Sequence, residues 1–179
     1  MMQAVAIDWE VFRLVVLTPR FVHCIDKHSF GGLVMLPRFH HILVPLDSTA
    51  KNNAAVDIAF ELAAQNKTIV SLLHVVQAID AETDPPDDET AEFYIHIRQR
   101  AESEMERLSQ RFLDADLKCE VKVRVGDRLQ DIVEFAKHHC VDLIVMSSHR
   151  IDPNHLAETW GTLSYKVSVM CDCPILLVK

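Results

Sequence analysis

No apolar run among these 179 residues reaches the ~20 needed to cross a bilayer. The longest candidate, Val11 to Val22, is broken by Arg13, Pro19 and Arg20. It also lacks a basic start and a small-residue cleavage site, so it does not read as a secretion signal. Basic residues are in deficit, 18 Lys plus Arg against 26 Asp plus Glu, for a formal net charge of −8. A nucleic-acid partner is not expected, because a phosphate-backbone binder needs cationic surface to release counterions. Cysteines are few and odd in number, five in all, with no C-x-x-C. Cys171-x-Cys173 stands beside a strand-like segment, and reduced, idle thiols in a reducing cytoplasm are expected rather than a metal or redox site. Glycine is scarce, at four residues, and the chain has no Gly-x-Gly-x-x-Gly, no P-loop Lys-Ser/Thr and no Gly-x-Ser-x-Gly elbow. The Ser-Gly-Gly-x-Asp-Ser turn and the His-x-Gly-His pair of nucleotidyl-transfer folds are missing too. With no positioned nucleophile, base and metal, a fast enzyme is not expected.

What is present is a chain roughly half apolar, enough for one well-cored domain. From Arg38 onward, strand-like and helix-like segments alternate. His41 to Leu46 is a short apolar run ending in Asp47-Ser48, as a buried parallel strand meets a turn. Ala54, Ala55, Ile58, Ala59, Leu62 and Ala63 then fall on one helical face. Thr68 to Val76 is a second β-branched run. Tyr94, Ile97, Ala101, Met105, Leu108 and Phe112 step by three and four, the stripe of a long helix. Val121 to Val125 is a third strand, closed by Gly126, and Leu129, Ile132, Val133 and Ala136 stripe the next helix. Asp142 to Met146 is a fourth strand with no polar face. Leu163, Val167 and Met170 mark a last helix, and Pro174 to Val178 a closing strand.

The order is βαβαβαβαβ, and right-handed crossovers then require a mostly parallel sheet with helices on both faces. The expected fold is α/β, a three-layer Rossmann-like arrangement on five strands. Such sheets bind ligands outside the carboxyl ends of their strands, where the strand order reverses. With the first strand central, that point lies between Asp47-Ser48 and the segment Ser147, Ser148, His149, Arg150. Residues 1–37 fit none of this and are expected to be an extension outside the 38–179 domain, disordered or loosely draped. Met35, just ahead of the regular pattern, makes an over-long start an open reading, which native protein beginning at Met1 or Met2 would remove. Gln77 to Glu89 carries Pro85-Pro86 and six acids without a base and reads as a solvated surface loop.

Several segments, taken in order, resemble the universal stress protein family. They are His41–Asp47 with its Pro-Leu-Asp-Ser ending, Leu72-Leu73-His74-Val75, the Val125-Gly126-Asp127 turn, Val141 to His149, and Cys173-Pro174-Ile175-Leu176-Leu177-Val178. The resemblance spans residues 38–179. It implies a Rossmann-like sheet, a homodimer paired through the last strand, ATP binding in some members, and roles in stress survival and signalling.

In nucleotide-binding members of that family the phosphate loop reads Gly-x2-Gly-x9-Gly-Ser/Thr. Glycines let backbone N–H groups approach phosphate, and the last pair opens a helix whose positive end favours an anion. Here the final pair is kept as Gly161-Thr162, but the first two positions are Ser147 and Arg150, and ten residues separate Arg150 from Gly161. Losing two backbone contacts to a charged phosphate forfeits ~1.5–3 kcal/mol each, or roughly two to four decades of affinity. Arg150 either returns part of this as a charge-assisted contact or fills the space. The resemblance assigns an adenine contact to Asp47 and a backbone contact with the base to Val75. The alternative for Asp47 is to cap the helix after the first strand, with Ser48 as a second candidate cap.

The candidate nucleotide-binding set is therefore Asp47, Val75, Ser147, Arg150, Gly161 and Thr162, with ATP or another adenine nucleotide as ligand and no metal site. The competing expectation is a nucleotide-free scaffold whose altered loop, with its Asp152-Pro153 turn, meets a protein partner. His40-His41 and His138-His139 are adjacent pairs that cannot chelate as an i,i+4 pair does. His74 is expected to be packed in its strand, His149 to lie in the switch-point loop, and Trp160 to anchor the last helix. Pairing of Pro174–Val178 across a two-fold axis would hide an apolar edge.

Overall fold

A computed structural model describes residues 39–47, 52–78, 88–148 and 161–179. The expected N-terminal extension lies outside them, as do Ser48, His149, Arg150, Trp160 and the centre of the acidic Gln77–Glu89 segment. In chain order the elements are β1 (His41–Leu46), α1 (Asn53–Asn66), β2 (Ile69–Gln77), α2 (Asp88–Asp114), β3 (Cys119–Gly126), α3 (Arg128–His138), β4 (Leu143–Ser147), α4 (Leu163–Met170) and β5 (Ile175–Val178). The strands form one sheet in the order β3-β2-β1-β4-β5, and every pairing is parallel.

Successive residues of a strand point to opposite faces, and here each face has its own core. On one, Ile42, Val44, Val70, Leu72, Leu143 and Val145 meet Ala55, Ala59 and Ala63 of α1 and Met105 and Phe112 of α2. On the other, Leu43, Leu73, Val75, Ile144 and Met146 meet Ile132, Phe135 and Ala136 of α3 and Val167 of α4. The central strands read as near-continuous apolar runs, β2 with Ser71 and His74 buried among them, because both faces are covered, which makes the three layers.

Local chemistry sets the helix ends. Lys67 closes α1 in the left-handed region, at φ 53°, with its N–H on the Ala63 carbonyl. Asp127 caps α3 by accepting the Gln130 N–H at 2.8 Å. Asp142 ties down the start of β1, accepting the N–H groups of His40 at 2.6 Å and His41 at 3.1 Å.

Three expectations are corrected. Helix α2 starts at Asp88, inside the stretch read as loop. Phe135, absent from the expected α3 stripe, is 1% exposed and a main filler of the second core. Met170, placed in the α4 stripe, is 54% exposed, because α4 ends there and the chain turns off at Cys171.

Candidate functional site

Strand β1 pairs with β2 on one side and β4 on the other, so the sheet order reverses between β1 and β4. The β1–β2 ladder stops at Leu46↔His74, while β2 runs on to Gln77. A cleft of about 490 Å³ opens over these carboxyl ends. Its floor is apolar, from Leu46, Leu73, Val75, Ile132 and Met146. Its rim is polar and comes from separate elements: Asp47 and Asn52 after β1, Arg128 at the start of α3, Ser147 and Ser148 at the end of β4, and Thr162 and Ser164 at the start of α4.

Asp47 does not cap α1, contrary to one expectation. The cap position is Asn52, which makes no side-chain bond to the helix. The buried Asn52 amide instead donates back to Asp47, to its backbone carbonyl at 2.5 Å and its Oδ1 at 2.6 Å. That clamp holds the Asp47 carboxylate at the rim.

Val75 belongs to the second core and is 4% exposed, and it lies in the floor of the cleft. The Arg128 Nε–H donates to its carbonyl oxygen at 3.3 Å. Like Asn52 and Ser164, Arg128 is a cleft residue that sequence reasoning missed. Its signal was topological: it directly follows the Gly126-Asp127 turn at the carboxyl end of β3, the same sheet edge as Asp47 and Ser147.

On the opposite wall, hydroxyl groups form a row. Ser148 Oγ lies 3.3 Å from Ser164 Oγ, which lies 3.4 Å from Thr162 Oγ1. Thr162 is the N-cap of α4, accepting the Tyr165 N–H at 3.4 Å, so the positive end of that helix forms part of the wall. Ser148 is pinned by its N–H to the Val178 carbonyl at 2.7 Å. Gly161 is exposed and stands one residue before this wall.

Beneath the rim lies His74, 5% exposed, whose Nδ1–H donates to the Leu46 carbonyl at 3.0 Å and ties the ends of β1 and β2 together. Burial pushes its pKa down, with the Arg128 charge adding to the effect, while the Leu46 bond and the Asp47 charge oppose it. His74 is packed, as its place in the strand suggested.

Of the six residues singled out in the sequence, Asp47, Val75, Ser147 and Thr162 line one cleft, and Gly161 adjoins it. Arg150 lies outside the described residues. Among the described residues no group of three His, Cys, Asp or Glu side chains is placed to hold a metal ion, and no helix is long and apolar enough to cross a membrane.

Comparison with known proteins places this architecture. The sequence matches the Universal stress protein family over residues 38–179. It is 26% identical over 149 residues to universal stress protein YxiE of Bacillus subtilis, covering 79% of this chain and 99% of that protein. The fold is similar to that of universal stress protein UspA from Lactobacillus plantarum, with a TM-score of 0.70, 23% identity, and coverage of 80% of this chain and 100% of the other. It is also similar to a universal stress protein from Archaeoglobus fulgidus solved in complex with dAMP, with a TM-score of 0.56, 16% identity, and coverage of 80% and 100%. The family match takes in every described strand and helix, from the buried β1 to the edge strand β5, and the chain therefore belongs to the universal stress protein family.

Proposed function

We propose that the cleft over β1 and β4 binds an adenine nucleotide of the ATP or AMP class, and that this chain is a nucleotide-responsive regulatory module. One observation carries the reading: Asp47, the Val75 backbone, Ser147 and Thr162, far apart in sequence, meet at one cleft of about 490 Å³. That volume suits a small-molecule ligand. The polarity is divided to match a nucleotide. A clamped carboxylate accepts hydrogen bonds from ribose hydroxyls or base amines but repels phosphate, whereas a helix N-terminus with hydroxyl groups favours an anion. Asp47 therefore serves the nucleoside end and the Thr162 wall the phosphate end. The Archaeoglobus fulgidus protein of similar fold, solved in complex with dAMP, supports the reading; for this chain it rests on the cleft's own residues. The module works as a homodimer joined through β5, whose outer edge carries Leu176 and Leu177, both more than a third exposed.

The test has two parts. Purified protein is denatured and the supernatant analysed for adenine nucleotide, and thermal melts are run with ATP and with AMP. Ligand at a hundredfold above Kd adds ~2.7 kcal/mol, which raises the melting point by roughly 5–11 °C for a domain of this size. Gly161→Asp abolishes the shift by crowding and repelling the anion, and Thr162→Ala weakens it. No released nucleotide and no shift at millimolar ATP or AMP sinks the reading in favour of a nucleotide-free scaffold. Full affinity in Gly161→Asp means the ligand sits elsewhere.

A further inference from the structure

Helix α4 ends at Met170, and Cys171 is its C-cap, its N–H bonded to the Val167 carbonyl at 3.0 Å. The chain then bends through Asp172 and Cys173 and is caught again at Pro174, whose carbonyl accepts the Ile144 N–H at 3.0 Å as β5 begins. Two cysteines are thus held two residues apart between fixed points. Asp172 between them is exposed, while both cysteines pack against the same core cluster and remain half-buried. Because both cysteines pack on that cluster and Asp172 between them faces solvent, their side chains share one side of the chain. In a straight strand, residues two apart have Cα atoms ~6.6 Å apart, close to the ~6.8 Å upper edge of disulfide geometry. A bend brings them nearer.

We propose that Cys171 and Cys173 form a dithiol redox site that closes to an intrachain disulfide by exchange with a low-molecular-weight disulfide. The idle role expected from the spacing gives way here because the fold sets both side chains against one core cluster and leaves both within reach of solvent. The two sulfurs are also made unequal. Hydrogen bonding from Cys173 holds the Cys171 thiol below its ordinary pKa, whereas the same bond, burial and the Cys171 charge push Cys173 up. Cys171 is accordingly the attacking thiol and Cys173 the resolving one.

In the first step the Cys171 thiolate attacks one sulfur of R–S–S–R, forming a Cys171–S–S–R mixed disulfide and releasing RS⁻. In the second, Cys173 gives its proton to RS⁻ and attacks the Cys171 sulfur, which expels a second RS⁻, and this takes from solvent the proton that Cys171 released on ionising. The protein loses two electrons and two protons, and the small disulfide becomes two RSH. Cys119 is a built-in comparator, a single thiol that burial pushes up to about 12. Cys140 is a second, exposed thiol.

The experiment treats the reduced full chain with oxidised glutathione near neutral pH, quenches with acid, alkylates, and reads intact mass and peptide maps. The expected result is a loss of about 2 Da per chain, mapped to a 171–173 peptide that escapes alkylation and is restored by dithiothreitol. Cys173→Ser traps glutathione on Cys171, and Cys171→Ser reacts at least tenfold more slowly at Cys173; thermal melts confirm that both variants are folded. The unsubstituted chain decides the matter without them. The proposal is overturned if Cys171 and Cys173 stay fully alkylated, if a mixed disulfide persists on either, or if the product is an interchain disulfide.

Discussion

His74 joins the sheet to the cleft through one hydrogen bond, and its burial makes that bond sensitive to acid. In the unfolded chain an imidazole takes up a proton near pH ~6.5; in the fold, burial above all holds the His74 pKa below that value. The folded state therefore binds fewer protons than the unfolded one as pH falls. The stability is complete above the unfolded pKa and is lost as pH drops towards the folded one. The urea midpoint of the native chain is expected to fall between about pH 7.5 and about pH 5.5, and that of His74→Gln to fall less. The glutamine takes up no proton over this interval. Equal acid slopes in the two proteins would sink this account. The two proteins differ at residue 74 alone, so a difference between their slopes belongs to His74. That this histidine would be packed was legible from the apolar run Leu72-Leu73-His74-Val75. Its partner was not, because Leu46 lies on another strand.

Among the elements, α3 shows how far a local signal reaches. Gly126-Asp127 read as a turn, and Asp127 is the N-cap, accepting the Gln130 N–H at 2.8 Å. Asp127→Ala leaves that donor to water and is expected to cost about 1 kcal/mol, a drop of roughly 2–4 °C in melting point. Because α3 also carries Arg128, a frayed first turn should weaken any cleft ligand as well. An unchanged melt would mean that the cap is redundant. The β-strands were legible for a different reason: a segment buried on both faces is mostly apolar, as β1 and β4 show, and β2 breaks its run only at buried Ser71 and His74 before the exposed Gln77. Helix limits were less so. Acidic residues suit a solvated loop and a helix's first turn alike, so the start of α2 at Asp88 was hidden in the acidic stretch. Met170 continued the spacing of Leu163 and Val167 past the point where the core ends.

For the whole molecule the open matter is the free side of β5. Among the described residues this strand pairs with β4 alone, and Leu176, Leu177, Val169 and Met170 are exposed around it, at 39%, 38%, 67% and 54%. An unpaired apolar edge invites another strand, and pairing across a two-fold axis satisfies its backbone groups in a closed assembly. Light scattering after size exclusion is expected to give a dimer at micromolar concentration. Leu177→Lys should give a monomer whose melting point no longer depends on protein concentration. A monomeric unsubstituted chain would remove the proposed interface. The opposite edge, β3, alternates exposed Glu120 and Lys122 with half-buried apolar residues, and charges of this kind discourage the same association.

The sequence by itself determined the order of strands and helices, the parallel sheet, and the sheet edge on which a site would lie. Each follows from local patterning and from the handedness of crossovers, which act along the chain. Only the tertiary structure decided what the site is made of. Asn52 turns back to hold Asp47 instead of capping α1, and Arg128 reaches the Val75 carbonyl from 53 residues away. Cys171 and Cys173 come to share one side of a bend. These contacts depend on where strand ends and helix starts meet in space, and side-chain hydrogen bonds between distant segments leave no periodic trace in a sequence.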